Sequence, residues 1–168
     1  MKFSLKKISI FATIALLPAT ASGQESAFHT FRVLKPALAI EAAQAALNDC
    51  RSKGYQVAVS VADRFGVLQV TLRDQFAGPH TPDTALRKAW TAVTFRTDTL
   101  ELGKLTESGE AWAIRNVTGV LPLGGGVQIV AGEGDLVGAI GVSGAPSGSE
   151  DHACAKAGIS AIADKIAF

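Results

Sequence analysis

The stretch VAVSVADRFGVLQVTL, residues 57–72, decides the fold because large apolar residues recur at every second position in each of its halves. In its first half, valines occupy every second position from Val57 to Val61, which is the period of a β-strand. The second half repeats this alternation from Leu68 to Leu72. Between the halves, the sequence DRFG at residues 63–66 has the composition of a tight turn. The stretch therefore predicts a β-hairpin.

A second hairpin is predicted near the end of the chain. Three glycines, Gly124–Gly126, open a strand over Val127–Ala131, the sequence GEGD at residues 132–135 turns, and Leu136–Ser143 returns as the partner strand. The glycines precede a strand and lack the GK[ST] of a phosphate loop, so a nucleotide site is not indicated.

Helices are predicted around the hairpins from their start and stop residues. Pro36 suits a first helical turn and Gly54 a left-handed end, while Ser147 and Glu150 have capping-box spacing. The predicted helices are Pro36–Lys53, Asp83 or Thr84 to Arg96, Asp98–Glu107 and Ser147 to about Ile166, with a helical turn near Trp112. This order predicts an α+β fold, an antiparallel β-sheet of two hairpins flanked by α-helices, and disfavours a doubly wound parallel sheet.

The N-terminus predicts export. Residues 1–23 have a basic start, an apolar run too short to span a bilayer and small residues suited to cleavage, which is typical of a signal peptide; an uncleaved anchor is the alternative. Residues 24–35 are then an N-terminal extension and residues 36–168 one domain. Three of the 16 Lys and Arg residues leave with the signal, so 13 face 15 Asp and Glu, a net charge of about −2. Nucleic acid is therefore excluded as an expected partner, and no membrane span remains after cleavage.

The two cysteines, Cys50 and Cys154, fall on the apolar stripes of the first and last predicted helices. If those helices pack together, a disulfide would close a loop of about a hundred residues, and an exported chain would keep it oxidised. Two buried free thiols are the alternative. The spacing excludes CxxC redox chemistry and CxxCH haem attachment.

His80 is the strongest candidate ligand, because it stands with Thr81 in the loop AGPHT directly before a helix. An imidazole there would bind haem iron or another metal, although a histidine in an exposed loop is more often simply solvated. No HExxH spacing, zinc cage or G-x-S-x-G nucleophile elbow occurs in the chain.

The helix after His80 carries residues of the types that a haem pocket needs. Arg87, Lys88 and Arg96 would bind propionates, Trp90 would form an apolar wall, and Thr91 shares the more polar side with Arg87. The alternative is that Trp90 belongs to the core and that the cations form a solvated helix face.

Four motifs in order resemble the GlcG/HbpS-like haem-binding family, which also includes the C-terminal domain of PduO-type proteins. They are VSVADRFGVL (residues 59–68), AGPHT with RKAWTAVTF (77–81 and 87–95), GVLPLGGGVQI (119–129) and LVGAIGVSG (136–144). The resemblance implies a profilin-like fold, homo-oligomerisation and binding of haem b, with His80 and Thr81 on the ligand side. The chain departs from the family's usual LPLxGGVPI at Gly124 and Gln128.

Three functions are compatible with these features. The leading hypothesis is a periplasmic or secreted protein that sequesters, buffers or senses haem. A small-molecule or haem-degrading enzyme is the first alternative, and a ligand-free accessory oligomer is the second. Because a fold carries many functions, the choice between them depends on the site.

Overall fold

The computed structural model describes residues 26–168, and residues 31–168 form one compact unit. The predicted signal peptide, residues 1–23, lies outside the described residues. None of the helices found in residues 26–168 has the length and apolar character needed to cross a membrane.

Both predicted hairpins are present and join into one antiparallel sheet. The strands are β1 (Ala58–Asp63), β2 (Leu68–Arg73), β3 (Gly126–Val130) and β4 (Leu136–Ser143). Their order is β2-β1-β4-β3, so the two hairpins meet through β1 and β4 at the centre. The predicted α+β class, with two hairpins in one sheet, is confirmed.

The predicted helices are present with two corrections at their ends. They are α1 (Pro36–Ser52), α2 (Thr81–Phe95), α3 (Thr99–Leu105) and α4 (Gly148–Ser160), with 3₁₀ turns at Glu110–Asn116, Gly132–Gly134 and Ala163–Lys165.

The predicted start of α2 at Asp83 or Thr84 is wrong, because Pro82 sits inside its first turn, where no backbone N–H is needed. The predicted continuation of α4 to about Ile166 is also wrong. At Ile162 the backbone tightens to an i−3 hydrogen bond with Ile159.

Large aliphatic side chains fill one face of the sheet, beneath α1 and α4. Val59, Ile129 and Ile140 are fully buried there with the alanines of α1. Cys50 of α1 and Cys154 of α4 form a disulfide with Cα atoms 5.5 Å apart, so the predicted bridge is present. This face is the hydrophobic core of the domain.

Small residues form the opposite face, on which α2 lies. Ala62 and Ala139 of the sheet contact Ala89 and Ala92 of the helix. A Cβ on Gly141 would clash with the carbonyl oxygen of Ala85, so only glycine fits there. This close approach fixes the position of α2, which carries most of the predicted site residues.

Candidate functional site

The main cavity opens beside the N-terminal end of α2 and has a volume of about 820 Å³. It lies where the loop before α2, the start of α4 and the end of β4 meet, and Ser143 and Gly148 belong to its wall. Two helix N-termini, those of α2 and α4, therefore border one cavity, and helix N-termini favour anionic groups. The volume is within the range of small-molecule pockets.

A buried ion pair borders this cavity. Lys88 Nζ donates to Asp151 Oδ2 at 2.7 Å and to the carbonyl oxygen of Val142 at 2.9 Å, and Asp151 Oδ1 accepts from the backbone N–H of Ala145 at 2.9 Å. Lys88 is 1% exposed and Asp151 4% exposed. Burial lowers the pKa of Lys88 and raises the pKa of Asp151, while their mutual attraction opposes both shifts. The pair ties α2 to β4 and α4.

His80 lies at the rim of the main cavity as the N-cap residue of α2. Its ring packs over Gly78, since a Cβ on that glycine would lie 2.7 Å from the ring Cε1. The ring nitrogens make no hydrogen bond to any residue of the described range 26–168. Thr81 is buried beside it, and its hydroxyl donates to the carbonyl oxygen of Gly78 at 2.7 Å.

Arg87 also lines the main cavity and keeps part of its guanidinium in solvent. It donates to the carbonyl oxygens of Gly119 at 3.4 Å and Val120 at 3.3 Å, and it lies 4.0 Å from the Asp83 carboxylate. These bonds hold the side chain in place, and 42% of it remains exposed. Of the predicted residues, the structure thus brings His80, Thr81, Arg87 and Lys88 together at one cavity.

A family model described as "Haem degrading protein HbpS-like" matches residues 34–160 of the chain. The chain belongs to this HbpS-like family. A search of curated protein sequences found no match.

Three solved structures illustrate the likeness of this HbpS-like chain. A crystal structure of HbpS is 39% identical, covers 80% of this chain and 93% of its own, and has a TM-score of 0.76. A double mutant of HbpS from Streptomyces reticuli is 40% identical, with coverage of 87% and 97% and a TM-score of 0.74. A PduOC:heme complex is 29% identical, with coverage of 78% and 96% and a TM-score of 0.70.

The remaining predicted residues of this HbpS-like chain lie away from the main cavity. Trp90 packs between two turns, since a Cβ on Gly66 would lie 2.7 Å from its indole and one on Gly119 3.5 Å. Thr91 is buried, and its hydroxyl accepts from the backbone N–H of Leu121 at 2.9 Å. Neither side chain lines the main cavity.

Arg96 lies at the opposite end of α2 from His80. From His80 to Arg96 the chain advances about 16 residue steps of about 1.5 Å each, which separates the two residues by about 24 Å. Arg96 lines a second cavity of about 490 Å³. The predicted site residues therefore belong to two separate places.

Several residues of the main cavity were not predicted. Asp151 pairs with a lysine 63 positions earlier, and Ser143 and Phe76 line the cavity from a strand end and a loop. Phe76 is 78% exposed and presents an aromatic ring at the rim. An acidic residue in the first turn of α4 was a visible signal, but its partner is set only by tertiary packing.

Proposed function

We propose that this chain is an exported haem-binding protein that holds haem b in the main cavity and thereby sequesters, buffers or senses haem. The observation that carries the proposal is the solvent-facing imidazole of His80, without a hydrogen-bond partner in the described part of the chain, at the rim of a large cavity. Haem supplies an iron centre held by its own macrocycle, which needs only one or two axial ligands from the protein.

The residues present fit such a group in kind and number. No cluster of three or more His, Cys, Asp or Glu that would hold a bare metal ion occurs within residues 26–168. A single imidazole suffices where the ligand provides the other donors. Phe76 and Leu123 add exposed apolar surface along the cavity, and Arg87 offers guanidinium N–H groups to a carboxylate.

Each residue then has a distinct task. His80 would bind the haem iron, and Thr81 holds the turn that orients His80 through its bond to Gly78. Arg87 binds a propionate group while its other N–H groups stay on the carbonyls of Gly119 and Val120. Lys88 is already paired with Asp151, so we assign it to holding the shape of the cavity.

The names of relatives support haem as the ligand, because one similar structure is a PduOC:heme complex. The disulfide supports export, since such bonds persist in oxidising compartments, so we place the protein in the periplasm or outside the cell. We further propose a homo-oligomer, as exposed large side chains such as Val67 and Leu68 would be covered by assembly.

Haemin titration tests the proposal. The apo-protein should develop a Soret band at micromolar haemin, and His80→Ala should weaken or shift that band. His152→Gln, which changes a histidine outside the main cavity, should leave the band as in the wild type. No spectral change in the wild type would refute haem binding and favour an accessory oligomer, and an unchanged band in His80→Ala would refute the ligand assignment.

Haem degradation is the second candidate, because the matching family is described by that activity. It predicts repeated loss of the Soret band with release of iron and a bilin-like product when a reductant or peroxide is added. Bleaching of one haem per chain without further turnover would leave binding as the function.

A further inference from the structure

The second cavity contains two arginines that have no acidic partner. Arg64 and Arg96 both line it, and neither guanidinium group forms an ion pair or a hydrogen bond with another residue of the range 26–168. The one acidic residue in its lining, Asp135, is already 3.5 Å from Arg32. Two guanidinium groups at one concave surface are suited to a carboxylate or another oxyanion.

Arg64 is held in a geometry that leaves its donors available. Its guanidinium carbon lies 4.2 Å from the ring centre of Phe31 and 5.8 Å from that of Phe65. A guanidinium stacked on a ring keeps its N–H groups at the edge, where they can donate in plane. The two rings pack edge to face, which steadies the stack.

Arg96 occupies a backbone position that normally belongs to glycine. Its φ is 49°, and the turn is closed by bonds from Arg96 N–H to Val93 and from Thr97 N–H to Ala92. The end of α1 has the same pattern of turn and uses Gly54, with φ of 82°. A residue other than glycine in the left-handed conformation lowers the stability of the fold. The presence of an arginine at this position therefore suggests a functional role.

The lining also includes apolar side chains, one of which is aromatic. Phe65 and Val130 are 61% and 44% exposed, and Gln128 adds an amide. A ligand that meets these groups has a flat apolar body next to its negative charge.

We propose that this second cavity is a binding site for a small aromatic carboxylate. The carboxylate binds to Arg64 and Arg96, and the ring lies against Phe65 and Val130. The site is separate from the main cavity, because α2 places its two ends about 24 Å apart.

Calorimetric titration of the full chain with benzoate tests the site. Benzoate should bind at one equivalent per chain. Benzyl alcohol, which lacks the carboxylate, and inorganic phosphate, which lacks the aromatic ring, should each bind at least tenfold more weakly. Benzyl alcohol binding as tightly as benzoate would overturn the role of the arginines. Phosphate binding as tightly would overturn the role of the apolar lining.

The variant Arg96→Gly tests the binding site without destabilising the fold. It should weaken benzoate binding about tenfold or more, while the Tm stays unchanged or rises by roughly 2–4 °C because the left-handed position is relieved. Lys104→Gln, which removes one exposed positive charge on α3, should retain wild-type binding. Equal binding by Arg96→Gly and wild type would overturn the proposal.

Haemin distinguishes this site from the proposed haem cavity. Arg96→Gly should keep the wild-type Soret band, since the main cavity does not include Arg96. A band lost in Arg96→Gly and kept in His80→Ala would overturn the proposal of a separate site and identify the second cavity as the haem site.

Discussion

The two faces of the sheet are packed in different ways. Beneath α1 and α4, fully buried valine and isoleucine side chains fill a thick layer that the Cys50–Cys154 disulfide closes. Beneath α2, alanine and glycine bring the helix so close that a Cβ on Gly141 would strike its backbone.

The two faces therefore have different roles: one mainly stabilises the domain, and the other fixes the position of α2. The thick face, beneath α1 and α4, holds the larger cluster of buried apolar side chains, and burial of apolar surface is the main source of folding free energy. The thin face buries little, but it fixes α2, and both cavities lie along that helix. The buried Lys88–Asp151 pair adds a polar link between α2 and α4 near the end of the central strand β4.

The largest expected effect is on the thin face, from Lys88→Met. It leaves the Asp151 carboxylate buried without its cation, which should lower the free energy of unfolding by about 4 kcal/mol at pH 8. Urea denaturation measures this loss. Lys156→Met, a change of an exposed lysine on α4, is the matched control and should stay within about 0.5 kcal/mol of wild type.

The same variant should depend on pH in a defined direction. The pKa of Asp151 is already raised by burial, and losing Lys88 raises it further. Between 3.8 and that raised pKa, the folded state binds a proton that the unfolded state releases, so stability is lost as the pH rises. The deficit of Lys88→Met should therefore shrink on acidification, and a deficit independent of pH would argue against this account.

A smaller effect is expected on the thick face, from Cys50→Ala combined with Cys154→Ala. Losing a bridge across 104 positions should lower the free energy of unfolding by about 3 kcal/mol, because the unfolded chain gains freedom. Chemical denaturation of the variant and of the oxidised wild type gives the difference. The folded variant should bind haemin and benzoate as the wild type does. A change in either binding would contradict the view that this face stabilises the domain without positioning α2.

The smallest effect is expected from Gly141→Ala. One methyl group against the backbone of Ala85 should cost about 2 kcal/mol and displace α2. Gly54→Ala is the matched control, because its added Cβ meets nothing within 4 Å and strains only the left-handed backbone, at about 1 kcal/mol. Haemin binding should weaken in Gly141→Ala alone, and weakening in both variants would contradict the role of the thin face.

The fold was largely predictable because its signals are local. The alternation over residues 57–72 predicted the first hairpin, and Pro36 with Gly54 predicted the limits of α1 within two residues. The errors lie at helix ends, where capping choices compete: Pro82 allowed α2 to begin earlier, and the switch at Ile162 ended α4 sooner.

The site was predictable only in part because its partners are distant in sequence. His80, Thr81 and Arg87 were predicted from one loop and the helix after it, and they do line one cavity. Lys88 follows Arg87 by about 100° around the helix, so it turns inward to Asp151, whose position depends on how α4 packs. Arg96 was grouped with His80 by residue type, as a cation suited to a propionate, although the helix predicted to end at Arg96 already implied that the two residues lie far apart.

The Lys88–Asp151 pair also has a consequence for the order of folding. Its members are 63 positions apart, and the wall of the main cavity includes the first turn of α4. Contacts this distant form slowly, because the intervening chain must close first. We therefore expect a folding chain to form its two hairpins early and the main cavity last, when α4 docks, so that a ligand of this cavity would bind only the completely folded chain.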